Sequence, residues 1–304
     1  MSRSRPHQGP DGLVVVDKPA GWTSHDVVAK SRGLLGTRKV GHAGTLDPDA
    51  TGVLLLGVGR ATKLLRYLSP LGKAYVGEVV FGVETSTLDA AGEVTATHEM
   101  AGLTLARVAD AARAFEGAIE QIPPMVSAVK IDGRRLHELA RKGIEVERPP
   151  RPVTIHSLAV RPGPEGEPHV FTLDVHCSSG TYIRTLAADL GHALGGGAHL
   201  RNLRRTAVGP YTLDDSVPLE QVSSDVVRPM VEVVRHLPAL TVDAAVAEAV
   251  AVGKVLEREA LGAEGDGPWA VVDEAGDLLA VVRAGDRAGR ERLRRWPPLR
   301  DRVG

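Results

Sequence analysis

Short apolar runs broken by glycine and proline set the texture of this 304-residue chain. Leu13-Val14-Val15-Val16 and Val53-Leu54-Leu55-Leu56 are unbroken apolar stretches too short for independent helices, which predicts buried strands. Lys73 to Gly82 alternates apolar and polar positions, the pattern of a strand with one buried face. Val153 to Val160 and Val170 to Ser178 read as two more strands, joined by a Pro/Gly-rich hairpin at Arg161 to Pro168. Helical spacing runs from Ser24 to Leu35 and would bury Val27, Val28, Leu34 and Leu35, with Thr23 or Ser24 as N-cap and Asp26 in the first turn. Further helices are predicted at Arg60 to Leu68, Leu103 to Phe115, Arg134 to Lys142 and Pro218 to Leu237. Thr181 can cap another helix, whose first turn then holds Arg184. From Leu240 the texture changes to an alanine-rich helix, Val242 to Val252, and a hairpin of Trp269 to Asp273 with Leu278 to Val282. This mixture predicts an α+β (mixed α/β) protein.

Between the first helix and the second apolar run lies Gly41-His42-Ala43-Gly44-Thr45-Leu46-Asp47-Pro48-Asp49-Ala50-Thr51-Gly52. Three glycines, a proline and two threonines in twelve positions exclude a helix or a regular strand, so the stretch is a shaped loop. It runs straight into a buried strand, and a side chain near such an anchor can be fixed for chemistry. Asp47 is the candidate, with Pro48 biasing it towards extended backbone. An ordinary turn is the competing reading of Asp-Pro-Asp-Ala-Thr-Gly. A calcium loop is excluded because Val58 stands at its twelfth position in place of glutamate. Gly36 to His42 lacks the Gly-Lys-Ser/Thr ending of a phosphate-cradling loop.

GHAGTLDPDATGVLLLGVGRATK, Gly41 to Lys63, resembles the catalytic motif of the TruB family of tRNA pseudouridine synthases, whose aspartate nucleophile falls on Asp47. Further matches are DKPxGxTS at Asp17 to Ser24, KxY at Lys73 to Tyr75, PPxxSAxK at Pro123 to Lys130, SGTYIRTLAxDLG at Ser179 to Gly191, and GAHxxxLRRxxxG at Gly197 to Gly209. A cation in a helix's first turn meets the positive end of the dipole and needs a carboxylate partner. The resemblance implies that Arg184 has one in Asp47. It implies that Tyr75 stacks on the target base and takes part in proton transfer, and that His42 fills the gap left by a flipped-out base. It implies that Lys18 supports the loop at the RNA-binding site. It places Leu203 against the base, and Lys130, Tyr182, Arg204 and Arg205 among the RNA contacts. His137 departs from the family, which usually carries tyrosine there.

The implied fold is a pseudouridine synthase fold with a central, largely antiparallel sheet flanked by helices, plus a small C-terminal PUA-like β-rich module. The implied boundaries are a disordered tail at 1–11, a catalytic domain at 12–238 with RNA-binding insertions at about 100–150, and the PUA-like RNA-binding module at 239–304, which is matched by layout alone. The implied reaction is isomerisation of uridine 55 in the T-loop of tRNA. A non-catalytic RNA-binding or tRNA-folding protein on the same fold, and a sibling synthase acting on other RNA, remain as alternatives.

Composition adjusts this picture in two places. The net charge of -1 hides a split: Asp214 to Asp277 holds 14 acidic and 4 basic residues, leaving 33 basic against 24 acidic elsewhere, which is compatible with RNA. Basic residues gather between Lys130 and Arg151, 7 against 4 acidic, and between Arg283 and Arg302, where 8 arginines face 3 acidic residues. A lone cysteine, Cys177, sits in an alternating strand as a buried residue and fits a reducing, cytoplasmic setting. No apolar run is long enough to span a membrane. An isomerisation exchanges no electrons or groups, so neither cofactor nor metal is expected, and the chain is expected to act as a monomer on the tRNA T-arm stem-loop, with no obligate protein partner.

Overall fold

The computed structural model describes residues 9–127, 130–131, 134–135, 144, 146–252, 254, 256–258, 261–285 and 292–295. The chain opens with β1 (Gly12–Lys18), α1 (Ser24–Leu34), β2 (Val40–Ala43), β3 (Thr51–Val58) and the single turn α2 (Leu65–Leu68). Its middle carries β4 (Lys73–Phe81), β5 (Val83–Thr85), β6 (Val94–Thr97), α3 (Leu105–Arg113), β7 (Gly117–Gln121), β8 (Lys130–Ile131) and β9 (Arg134–Arg135). Then follow β10 (Arg151–Pro162), β11 (Val170–Cys177), α4 (Ile183–Ala193), β12 (Ala198–Val208), β13 (Tyr211–Thr212) and β14 (Val217–Pro218). The last elements are β15 (Ala239–Thr241), α5 (Ala244–Ala251), β16 (Leu256–Glu257), β17 (Trp269–Val272), β18 (Leu278–Gly285) and β19 (Arg292–Arg295). They separate into two compact units: Met1–Pro48 with Gly52–Pro70 and Val208–Gly304, and Asp49–Thr51 with Leu71–Ala207.

In the first unit β1 lies antiparallel to β3, from Gly12 opposite Val58 to Lys18 opposite Gly52, and parallel to β14. The antiparallel strand β2 lies on β3 as well, Val40 opposite Val58 and Ala43 opposite Leu55. Val14, Val16, Leu54 and Leu56 pack on Val27, Val28 and Leu35 from α1 and its end. Leu13, Val15, Val53 and Leu55 on the opposite face are buried too. Both faces being covered is why these strands are unbroken apolar runs in the sequence. A separate five-stranded sheet, β15-β17-β18-β19-β16, closes over Trp269, Val271, Ala280 and Val282 with Val250 of α5 against it.

The second unit is built on β12-β4-β11-β10-β7. Tyr75 lies opposite Val175 and Lys73 opposite Cys177 in the antiparallel β4–β11 ladder. The alternation along β4 buries Lys73, Tyr75, Gly77, Val79 and Phe81 and leaves the residues between them partly exposed. Gly77 is where two leucines need space: a Cβ there would meet Leu200 and Leu203 of β12 at 3.1 and 3.2 Å. Cys177 is fully buried, and that burial pushes its thiol up to about 11.

The structure departs from the sequence reading in several places. Gly41 to Ala43 pair with β3 as part of β2, and Thr51 and Gly52 open β3, so the shaped loop is confined to Gly44–Ala50. Leu34 is 39% exposed while Leu35 is buried, because α1 ends at Leu34 and its cap residue turns inward. Arg60 to Leu68 is a 3-10 turn at Gly59–Lys63 followed by one α turn. Arg134 and Arg135 are not helical; they pair as a strand with Lys130 and Ile131, and 136–142 lie outside the described residues. Thr181 does not cap α4; its hydroxyl donates to the Ser178 carbonyl, and Tyr182 takes the cap position without a side-chain bond. Pro218 to Leu237 is a string of 3-10 turns at Leu219–Gln221, Ser224–Val226 and Met230–Val234; extended backbone at Val222 and Val227 ends the first two, and Pro229 stands before the third, where it cannot continue a helix. Of the tail, 1–8 lie outside the described residues, while Asp11 accepts from the Arg60 backbone N–H at 2.5 Å and pairs with its guanidinium at 2.6 Å. Among the described residues no helix is long and apolar enough to cross a membrane.

Side-chain bonds hold that string of turns where helical bonds do not. Asp215 accepts from Arg228 at 2.6 Å and Arg235 at 2.7 Å, Arg235 lies over the Tyr211 ring, and the Tyr211 hydroxyl donates to the Glu232 carbonyl. Burial pushes the Asp215 carboxyl upward, but the bonds from Arg235, the Thr212 N–H and Arg228 outweigh it and hold the group well below the usual carboxylate range. Asp215→Asn is therefore expected to cost about 1–2 kcal/mol at neutral pH in urea unfolding. The folded value lies below the unfolded one, so this contribution is whole above about pH 4 and drains away as the pH falls further. The gap between variant and parent should narrow over that range.

Candidate active site

The loop from Gly44 to Ala50 is held by the elements that precede it. Thr23 caps α1 and forms a capping box with Asp26, so the neighbouring Ser24 hydroxyl is free of that duty. It turns instead to the loop: Ser24 Oγ accepts from the Leu46 N–H at 2.9 Å and donates to the Leu46 carbonyl at 3.2 Å. On the other side of Asp47, the Pro48 carbonyl accepts from Lys18 Nζ at 2.8 Å and from the Gly21 N–H at 3.0 Å. Both neighbours of Asp47 are thus fixed, while Asp47 itself stays partly exposed. Leu46 is buried and Gly44 takes the left-handed backbone, φ 82°, that lets the chain leave β2 and turn inward.

Lys18 is fully buried at the end of β1. Its ammonium also donates to the carbonyls of Pro19 at 2.9 Å and Trp22 at 2.6 Å. Three carbonyl acceptors match the three N–H bonds of an ammonium, the arrangement that makes burial of a cation tolerable. The geometry makes Lys18 a clamp on the loop, with its donors directed at backbone. His42 of β2 is partly buried and meets His25 of α1 edge-on, ring centroids 5.3 Å apart. Lys18, His42 and Asp47 all belong to the first unit.

The remaining candidates belong to the second unit. Tyr75 is buried on β4, two residues from Lys73 on the same face. Burial, with repulsion from Arg205, brings the Lys73 ammonium down to about 8, and it donates to the Leu71 carbonyl at 2.6 Å. Arg184 is only 4% exposed, in the first turn of α4. It donates to the carbonyls of Thr87 at 3.1 Å and Val126 at 2.8 Å, and its Nη1 lies 3.2 Å from the Asp89 carboxylate. Asp89 is itself oriented by the Thr87 hydroxyl at 2.5 Å and the Ala91 N–H at 3.1 Å. A carboxylate partner was expected of an arginine at this dipole end; Asp89, in the turn after β5, is one that sequence reasoning missed.

On β12, Asn202 adopts φ 51° and donates to Glu78, so the strand kinks beside Leu203. Arg204 donates to the Thr51 hydroxyl at 3.2 Å, bracing the end of the loop, and Arg205 is fully buried. Tyr182 is partly exposed. Lys130 lies on β8, and His137 lies outside the described residues. Among the described residues no group of three or more His, Cys, Asp or Glu side chains is placed to hold a metal ion.

The resemblance implied that Lys18 supports the loop, but its Pro48 partner and the Ser24 bond went unseen in the sequence because the paired residues lie 30 and 22 positions apart. A local signal existed for Ser24: with Thr23 adjacent, one of the two hydroxyls had no capping work to do.

Comparison with known proteins places these elements. Residues 32–183 match the TruB family pseudouridylate synthase N-terminal domain, and residues 184–235 match the tRNA pseudouridylate synthase B C-terminal domain. A tRNA pseudouridine synthase B of Shouchella clausii is 45% identical over 285 residues, covering 90% of this chain and 94% of the relative. One from an Arthrobacter species is 53% identical over 217 residues, covering 70% and 71%. Among solved structures, the crystal structure of a Cbf5–Nop10–Gar1 complex is similar with a TM-score of 0.71 at 27% identity, covering 92% of this chain and 83% of that one.

Removing the Ser24 hydroxyl should loosen the loop without unfolding α1, whose cap is Thr23. Ser24→Ala is expected to lose about 1–2 kcal/mol of local stability and to speed hydrogen exchange of the Leu46 amide about tenfold. Unchanged exchange at Leu46 would show that the bond does not hold the loop.

Proposed function

The chain belongs to the TruB family of pseudouridylate synthases, and on that premise we propose that it isomerises uridine 55 in the T-loop of tRNA to pseudouridine. Its relatives' shared name, tRNA pseudouridine synthase B, supports the reaction and the substrate class. The single observation that carries the assignment to residues is the fixing of both neighbours of Asp47 by Ser24 and Lys18. A carboxylate that is only turning the chain needs no such mount; a nucleophile that must meet one atom of a base does.

The reaction breaks the N-glycosidic bond, turns the uracil and rejoins it to the ribose through C5, whose proton is then lost. It needs a nucleophile, a means of keeping that nucleophile ionised and a group to accept the C5 proton. Asp47 supplies the first, attacking either C6 of the base or C1′ of the ribose. Arg184 supplies the second, since a guanidinium beside a carboxylate favours its charged form once bound RNA excludes water. Tyr75 offers a flat face to the uracil and a phenol for proton transfer. The loop uridine must leave its stack, at a cost of a few kcal/mol, and His42 fills the gap. Leu203 lies against the base, while Lys130, Tyr182, Arg204 and Arg205 contribute to RNA binding, Arg204 with its bond to Thr51 by bracing the loop.

Residues 12–238 form the catalytic domain in this reading and 239–304 an RNA-binding module. The five-stranded sheet with its arginine-bearing strand β19 supports the latter. The enzyme acts as a monomer in the cytoplasm, and isomerisation calls for no redox cofactor or metal.

Asp47→Asn keeps the size, exchanges one carboxylate acceptor for an amide donor and removes the nucleophile. It is expected to bind an unmodified T-arm stem-loop as the parent does and to form no pseudouridine, a loss of at least ~10³-fold. Undiminished activity of the variant would remove Asp47 from the mechanism; inactivity of the parent on this RNA would remove the substrate.

A further inference from the structure

Helix α4 begins in an unusual way. Tyr182 holds the N-cap position with no side-chain cap from its own segment. A residue of a different strand instead grips the backbone of Tyr182 itself. Gln121, last residue of the edge strand β7, is 2% exposed, and its amide reaches the Tyr182 backbone twice. Its Oε1 accepts from the Tyr182 N–H at 3.0 Å, and its Nε2 donates to the Tyr182 carbonyl at 3.3 Å. Only a side chain with both a donor and an acceptor can do this: a carboxylate lacks the donor, and an aliphatic chain lacks both.

The segment that follows Gln121 stays with the helix. The Thr185 hydroxyl reaches the Ile122 carbonyl at 3.5 Å, and Arg184 donates to the Val126 carbonyl at 2.8 Å. Arg184 is therefore positioned from two sides, by Asp89 and Thr87 on one and by the chain leaving Gln121 on the other. The amide of Gln121 fixes the N-cap residue, two positions before Arg184, and the course of the chain that leads to the Val126 carbonyl.

We propose that Gln121 is a positioning residue for Arg184, holding the first turn of α4 and the 122–127 segment in the register that aims the guanidinium. The proposal rests on the reading above that Arg184 serves Asp47. It places a determinant of reaction rate on an edge strand, in a residue that acts only through backbone.

The test compares single-turnover pseudouridine formation at saturating T-arm stem-loop RNA with RNA binding by the same protein. Gln121→Leu, which removes both bonds, is expected to slow the step about 10–100-fold, the scale of a misplacement near 1 Å, with the RNA Kd changed less than about threefold. Gln121→Glu keeps the acceptor for the Tyr182 N–H and loses the donor, so its rate should fall between those of Gln121→Leu and the parent. Rates are referred to folded protein, counted by circular dichroism. Should Gln121→Leu fail to fold, Gln121→Glu alone carries the test. A parental rate in a folded variant overturns the proposal, as does a defect confined to RNA binding or to the folded fraction. These outcomes are separable from failure of the functional reading, in which the parent itself makes no pseudouridine or Asp47→Asn retains activity.

Discussion

A cation buried without compensation costs several kcal/mol, and the ammonium of Lys18 is fully buried at the end of β1. Its compensation is a set of backbone carbonyls: Pro19 and Trp22 from the turn before α1, and Pro48 from the loop thirty positions on. That requirement ties the two segments together. The turn after β1 cannot move without uncovering the charge, and neither can Pro48. Ser24, one residue past the cap of α1, adds a second tie through Leu46. Asp47 lies between the two ties, so its backbone is set by a folded neighbourhood rather than by its own loop.

Much of this organisation was legible in the sequence because it is local. Unbroken apolar runs marked β1 and β3, whose both faces are covered. Alternation marked β4 and β11, and loop composition marked the centre of the Gly41 to Gly52 stretch as shaped, although Gly41 to Ala43 pair in β2 and Thr51 and Gly52 open β3. The failures have physical causes too. Valines spaced through Pro218 to Leu237 imitate a helical stripe, yet Pro229 breaks it, and Asp215 with Arg228 and Arg235 holds the resulting turns from outside. Arg134 and Arg135 read as the start of a basic helix but pair with Lys130 and Ile131, a register that charge patterning does not reveal.

The side chains that serve the site from a distance were the least legible. Asp89 reaches Arg184 across ninety-five positions, and Gln121 meets Tyr182 across sixty-one. Neither stands in a local pattern that singles it out, since a turn aspartate and a strand-ending glutamine are ordinary residues until the fold supplies their partners. Lys18 was legible as a member of a motif, but the three backbone carbonyls that accept from its ammonium belong to the folded state alone. The chemistry-bearing residues announce themselves by type and setting; the residues that aim them do so only through three-dimensional contact.

The proposed chemistry depends on a rigid mount for Asp47. The most direct measurement is the single-turnover rate of Ser24→Ala on saturating T-arm stem-loop RNA, set beside its RNA Kd. The expected rate is reduced about tenfold, the scale of one lost hydrogen bond, with the Kd essentially unchanged. A parental rate in this variant would contradict it.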